Sequence, residues 1–227
     1  MPSKHAIFLY ELSGLAAQPW AEDGFLCFCY DKETKEQRQE GNVIWLPWDA
    51  TDADQTAQII ERHKGKAHIV LGFPPCTDLA VSGAKHFGIK RRANPRFQVE
   101  AMDLVRRVPE IGDALGVPWA LENPVSCIST LWRKPNFLFH PYEYGGYLPE
   151  DDQHPLWPQY INPRDAYPKN TCIWHSPDFK QPAKKRVPVA PGYSTQHKKL
   201  GGKSKKTKEI RSMTPRGFAR AVWEANK

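Results

Sequence analysis

The 227-residue chain has no apolar run approaching the ~20 residues that a membrane helix needs, which argues against a spanning segment. Its start, Met1-Pro2-Ser3-Lys4-His5, leads straight into a short strand-like run and lacks the apolar core of a signal peptide. Cysteine is scarce: there are five, an odd number without regular spacing, which argues against a secreted disulfide framework and for a reducing compartment. His140, His154, His175 and His197 sit without ligand spacing, so no metal is expected. No Gly-x-Gly-x-x-Gly is present, which disfavours a nicotinamide or flavin cofactor. There is no internal repeat. These absences point to a soluble, cytoplasmic protein, a monomer built as a single domain over residues 1–227, with no membrane partner.

What is present begins with charge. The net charge is +7 and unevenly spread. Residues 1–66 carry seven Lys/Arg against eleven Asp/Glu, whereas residues 180–211 carry eleven Lys/Arg against the single acid Glu209. The basic block, which includes Gly201-Gly202, reads either as a flexible loop suited to phosphates or as a solvated segment that aids solubility.

Hydrophobic runs alternate with helical patterns. Strands are expected at Ala6–Tyr10, Phe25–Tyr30, Asn42–Leu46, His68–Phe73 and Val117–Leu121. Helices are expected over 15–23, over 52–64 with Asp52 or Thr51 as cap, and over 95–115, where Pro109 should kink or split the helix. Strands alternating with helices predict an α/β fold with a mostly parallel, doubly wound sheet. From Pro124 to Pro191 the chain becomes irregular and rich in Pro, Trp, Tyr and Asn, with one further strand expected at Asn170–Trp174. A short amphipathic helix should close the chain at Arg216–Ala225, with Thr214 as N-cap and Pro215 at its first position.

In an open parallel sheet, ligands bind at the carboxyl ends of the strands. The five strands end in Glu11/Ser13, Asp31, Asp49, Cys76 and Glu122. One polar strand end means little, but five outline a site for a nucleoside-sized ligand beside a nucleophile and an acid. Asp31 is placed to accept hydrogen bonds from ribose hydroxyls. Taken singly, Cys76 could be a small buried residue after Pro74-Pro75, Glu122 a helix cap, and each Asp a turn residue. Cys27 and Cys29 alternate along one strand and belong to the core.

Gly72-Phe73-Pro74-Pro75-Cys76-Thr77-Asp78-Leu79-Ala80-Val81-Ser82-Gly83-Ala84 resembles the Pro-Cys loop of cytosine-5 DNA methyltransferases, and Leu121-Glu122-Asn123-Pro124 resembles their Glu-Asn motif. Leu12-Ser13-Gly14 is similar to a reduced form of their cofactor turn, and Thr214-Pro215-Arg216 to their C-terminal segment. Tyr144-Gly145-Gly146 and Pro168–Trp174 resemble the short form encoded by bacteriophages. The resemblance implies a Rossmann-like S-adenosylmethionine-dependent methyltransferase fold that acts on carbon-5 of cytosine in DNA, in the host cytoplasm. It implies S-adenosylmethionine held by Leu12, Ser13, Gly14, Asp31, Asp49 and Pro74, with Asp49 on the adenine amino group. Cys76 would add to carbon-6 of the base, because a thiolate is intrinsically nucleophilic and its pKa can be lowered locally. Glu122 would protonate the ring nitrogen, its own pKa raised by burial beside Pro124, and Asn123 would hold the carboxyl or a backbone group in place. The DNA would meet Ser82, Lys85, Arg91 and Arg92 on the loop after the nucleophile. Further contacts would come from Lys169, which stands in for the residue that holds the pyrimidine, and from Lys203, Lys205 and Lys206. Residues 124–170 would serve as the target-recognition region. Two rivals share this fold: an enzyme modifying an exocyclic amine or transferring a modified group, and a catalytically inactive nucleic-acid-binding protein.

Overall fold

The computed structural model describes residues 4–189, 199–200 and 204–227. The chain divides into two compact units: Met1–Leu138 with Thr171–Phe179, and Phe139–Asn170 with Lys180–Lys227. The first carries an eight-stranded sheet in the order β3-β4-β2-β1-β5-β6-β8-β7. Its strands are β1 (His5–Leu9), β2 (Leu26–Asp31), β3 (Arg38–Glu40), β4 (Val43–Pro47), β5 (Ala67–Gly72), β6 (Trp119–Pro124), β7 (Phe137–Phe139) and β8 (Thr171–His175). β1 lies parallel to both β2 and β5, β2 to β4, and β5 to β6, while β3 on β4 and β8 on β6 are antiparallel. The architecture is α/β and Rossmann-like, with a mostly parallel mixed sheet.

The parallel strands are apolar over most of their length because both faces are covered. All five residues of β1 are buried. Ile7, Leu9, Phe28, Tyr30, Ile44, Leu46 and Val70 share a core with Ile59 of α2 (Ala53–His63) and with Val105, Val108 and Ile111 of α4 (Phe97–Leu115). The alternate residues of each strand point to the opposite face. There Cys27 is fully buried, with its Sγ 3.6 Å from the Ala17 carbonyl just ahead of α1 (Gln18–Glu22). Helix α4 approaches the sheet so closely that a Cβ on Gly72 would lie 2.2 Å from Val108 Cγ2.

Chain order positions the site. From β1 the chain runs outward through β2 to β4, then returns to lay β5 on the other side of β1. The strand order thus reverses between β1 and β5, and open α/β sheets take ligands outside the carboxyl ends of the strands at such a reversal.

Several elements differ from the sequence-based expectation. The charged β3 forms an antiparallel edge that its three exposed residues do not advertise. Residues 81–93, expected as a loop, form a 3₁₀ turn over Val81–His86 and then α3 (Phe87–Ala93). Pro109 does not break α4, which runs unbroken over Phe97–Leu115. A further short helix, α5, follows β6 at Ile128–Leu131.

In the second unit, part of the basic 180–211 segment is helical as α6 (Lys205–Ser212), capped by the Ser204 hydroxyl, which accepts from Thr207 N at 3.1 Å. Helix α7 (Arg216–Asn226) has Pro215, not Thr214, at its N-cap and no side-chain cap bond there. Asp165 Oδ2 accepts from Gly217 N at 2.8 Å instead, using one of the free donors of the first turn. Arg216 pairs with Asp152 at 2.6 Å, and the Phe139 and Phe218 rings stack at 4.1 Å.

Candidate functional site

The turn after β1 is a closed structure in its own right. Tyr10 adopts φ 62°, a left-handed conformation that an aromatic residue rarely takes. The buried Glu11 carboxylate accepts from Ser13 Oγ at 2.6 Å and Gly14 N at 2.8 Å. Burial pushes the Glu11 carboxyl above its ordinary pKa, against the pull of those hydrogen bonds. Ser13 Oγ also accepts from Leu15 N at 3.1 Å. Gly14 has φ 76°, and a Cβ there would lie 2.5 Å from the Trp45 ring. Trp45 Nε1 in turn donates to the Leu12 carbonyl at 3.1 Å. Ser13 and Gly14 therefore serve the turn itself, and the indole of Trp45 lies where a side chain on residue 14 would be.

Asp31 ends β2 half-buried, and burial raises its carboxyl above the ordinary range, opposed by a bond accepted from Glu33 N at 2.7 Å. Asp49, after β4, is exposed and accepts from Thr51 N at 2.9 Å and Thr51 Oγ1 at 2.7 Å, which hold its carboxyl below the usual range. Asp52 is the α2 cap, accepting from Asp54 N and Gln55 N. Asp31, Asp49, Glu11 and Tyr10 stand close enough for the Asp31 charge to act on both Glu11 and Tyr10, and for Asp49 to act on Tyr10. The phenol of Tyr10 donates to the Leu104 carbonyl at 2.7 Å, and burial pushes its pKa up.

β5 and β6 are paired neighbours, with Gly72 opposite Leu121, so Phe73–Cys76 and Glu122–Asn123 leave adjacent strand ends. Asn123, 1% exposed, donates from Nδ2 to the Pro74 carbonyl at 2.9 Å. Beyond Cys76, Leu79 N and Ala80 N both donate to its carbonyl, at 3.0 and 2.8 Å. The loop is then tied back to the segment after β6: Cys127 N donates to Leu79 O, Val81 N donates to Val125 O, and Ala80 bridges Ser126. Cys76 is thus held in a loop pinned on both sides to the strand that carries Glu122. Glu122 is 8% exposed. Its charge reaches Cys172 on β8, whose thiol is pushed up to about 11, mainly by burial and then by that carboxylate.

Burial pushes Cys27 up to about 12, pushes Cys29 well above its ordinary value, and raises Cys127. Cys27, Cys29 and Cys172 are buried, whereas Cys76 and Cys127 are partly exposed.

Of the basic residues, Lys85, Arg91 and Arg92 are exposed on the 81–93 helical segment, with Ser82 exposed beside them. Lys90 on the same segment is engaged, donating to the Thr77 carbonyl and pairing with Asp78 at 2.5 Å. In the second unit, Lys169 donates to the Arg211 carbonyl at 3.1 Å, and Lys206 lies over the Trp157 and Tyr160 rings at 5.2 and 4.9 Å. Lys203 lies outside the described residues, and only the helical backbone of Lys205 is described. Among the described residues no group of three or more His, Cys, Asp or Glu is placed to hold a metal ion. None of the described helices is long and apolar enough to cross a membrane.

Three residues at this edge went unmarked by sequence reasoning. Tyr10 shows its strain only in its backbone angles. Trp48, buried against Tyr10 and Tyr30, reads in sequence as ordinary packing. Ser126 has no sequence signal beyond lying three residues after Asn123.

No family model matches this chain, and no curated protein does. Among solved structures it is similar to a doubly substituted mutant of a Serratia marcescens short-chain dehydrogenase/reductase, at 15% identity over 51% of this chain and 52% of that chain, TM-score 0.36. It is also similar to a second doubly substituted form of that enzyme, at 14% identity over 50% and 51%, TM-score 0.35. The match thus spans about half the length of these structures. The family expectation is corrected: no family model and no curated protein supports a cytosine-5 methyltransferase. S-adenosylmethionine as cofactor, methyl transfer to cytosine and the DNA-binding role rested on that resemblance and are withdrawn with it. The physical reason is local. Pro-Pro-Cys and Glu-Asn are short motifs at strand ends, where a turn, a thiol and a carboxylate recur on unrelated chemistries.

Proposed function

We propose that this chain is an α/β protein whose carboxyl-edge crevice binds a ribose-bearing ligand and whose working nucleophile is Cys76. The observation that carries the reading is the hydrogen bond from Asn123 Nδ2 to the Pro74 carbonyl, which ties the Cys76 loop to the strand end bearing Glu122. In this reading the Cys76 thiol passes its proton to Glu122 and its sulfur bonds an unsaturated electrophilic carbon, whose π pair moves to the neighbouring atom and is protonated there by Glu122, while Asn123 positions the loop. Asp31 accepts hydrogen bonds from ribose hydroxyls, a role suited to a half-buried carboxylate at the end of β2. Leu12, Ser13 and Gly14 form one wall of the crevice through their backbone, and Asp49 and Pro74 border it. Lys85, Arg91 and Arg92, with Ser82, draw a phosphate-bearing substrate toward the loop. Lys169 and Lys206 extend the basic surface of the second unit, and Lys203 and Lys205 belong to the same basic run in sequence.

Two measurements test this. With limiting methyl methanethiosulfonate, peptide mass mapping should find Cys76 modified first among the five cysteines; modification of Cys127 ahead of Cys76 would remove the nucleophile from the reading. Adenosine or guanosine should raise the melting temperature by mass action, and Asp31→Asn should abolish that rise. A rise that survives Asp31→Asn would reassign the ribose contact.

A further inference from the structure

Two buried polar atoms beside the Cys76 loop make no hydrogen bond among the described residues: Asn123 Oδ1 and Ser126 Oγ. Buried side-chain polar atoms are overwhelmingly paired in folded proteins, so two exceptions three residues apart call for a cause. Their residues are 1% and 5% exposed. Both belong to the segment that holds the loop: Asn123 bonds the Pro74 carbonyl ahead of Cys76, and Ser126 bridges Ala80, four residues beyond it. Each residue contributes to the fold through another atom, Asn123 through Nδ2 and Ser126 through its backbone. Neither Oδ1 nor Oγ is needed to hold the loop.

We propose that Ser126 Oγ and Asn123 Oδ1 are ligand-contacting atoms that select a neutral, N–H-bearing group of the amide kind at the Cys76 thiol. This rests on the reading of Cys76 as nucleophile given above. Asn123 Oδ1 only accepts, so its partner must donate; a serine hydroxyl can donate to a carbonyl or accept from an N–H. An amide presents both an N–H donor and a carbonyl acceptor. The charged group built into this strand end is the carboxyl of Glu122, which repels an anion at the thiol. The exposed Lys85, Arg91 and Arg92 draw anions to the rim, so a substrate with a phosphate at one end and an amide-type edge at the other satisfies both.

Iodoacetamide and iodoacetate test this, being nearly equal in size and differing in that the first carries the neutral amide and the second a carboxylate. With either, the Cys76 sulfur forms a bond to the CH₂ carbon, iodide leaves with the electron pair, and the thiol proton passes to buffer. The readout is the ratio of the two alkylation rates at Cys76, followed by peptide mass mapping and divided by the same ratio for glutathione. The native chain should give a ratio well above one. Ser126→Ala should lower it about three- to tenfold, the range one hydrogen bond supplies. Ser126→Thr, which keeps the hydroxyl, should retain it. The Ala80–Ser126 bridge is a main-chain contact, and equal melting temperatures will show that both variants keep the fold. An unchanged ratio in a folded Ser126→Ala chain overturns the proposal. A Cys76 that reacts no faster than glutathione, with Glu122→Gln making no difference, overturns the nucleophile reading and this inference with it.

Discussion

Gly14 and His63 show two ways in which a single residue governs stability here. Gly14 needs both its left-handed backbone and its missing Cβ, because Trp45 lies 2.5 Å from where that atom would be. Gly14→Ala should therefore destabilise the chain by at least ~2 kcal/mol, combining left-handed strain with overpacking, which urea unfolding would register. A loss of less than ~0.5 kcal/mol would mean that the indole moves aside freely. His63 is fully buried, with Nε2 2.8 Å from the Tyr30 hydroxyl and Nδ1 2.9 Å from His5 Nδ1. Burial pulls its pKa from 6.5 down to about 3, with the neighbouring His5 adding to the effect. As pH falls, the unfolded chain takes up this proton first, so stability should fall between about pH 6.5 and 3. His154, lowered to about 4 by burial, acts in the same direction. Asp165 opposes them: burial raises it from 3.8 to about 6, so its contribution is present at low pH and is lost as pH rises through that window. His63→Gln should flatten the acid limb of a stability profile measured by chemical unfolding; an unaltered limb would shift its cause to other groups.

At the scale of elements, α2 and the contact of α4 with β5 are the informative cases. Asp52 caps α2 by accepting two backbone bonds, so Asp52→Ala should cost about 1 kcal/mol. Gly72 admits α4 only because it has no side chain. Gly72→Ala should cost about 1–3 kcal/mol through overpacking, and adding Val108→Ala should recover part of that loss. A strictly additive double variant would mean the two residues do not share the contact. α2 was legible because an Asp cap precedes an amphipathic run, and the parallel strands because each is a short apolar run ended by a turn. β3 was illegible because Arg38-Gln39-Glu40 is exposed and pairs along an edge, where main-chain bonds rather than burial decide. The helical 81–93 segment was read as a loop because none of its apolar residues is buried and they form no stripe. Pro109 misled because its missing N–H was given more weight than the packing of Val105, Val108 and Ile111, which holds α4 together.

At the scale of the whole molecule, chain order makes the edge a site. The reversal between β1 and β5 follows from the succession of strands, which is why strand-end residues could be nominated from the sequence. How each is held could not: the side chains of Ser13 and Asp49 and the missing side chain of Gly14 also serve their own turns, through contacts with Glu11, Thr51 and Trp45. Family identity was the least secure inference, since it rested on two short motifs that any strand-end thiol and carboxylate can reproduce. The central claim is that Cys76 and Glu122 form one chemical unit across the ends of β5 and β6. The most direct test is the rate of Cys76 alkylation from pH 5 to 10 in the native chain and in Glu122→Gln. A nearby carboxylate disfavours the thiolate, so removing its charge should shift the midpoint of the profile to lower pH and raise the rate near neutrality. Superimposable profiles would place Glu122 out of reach of the thiol and contradict the account.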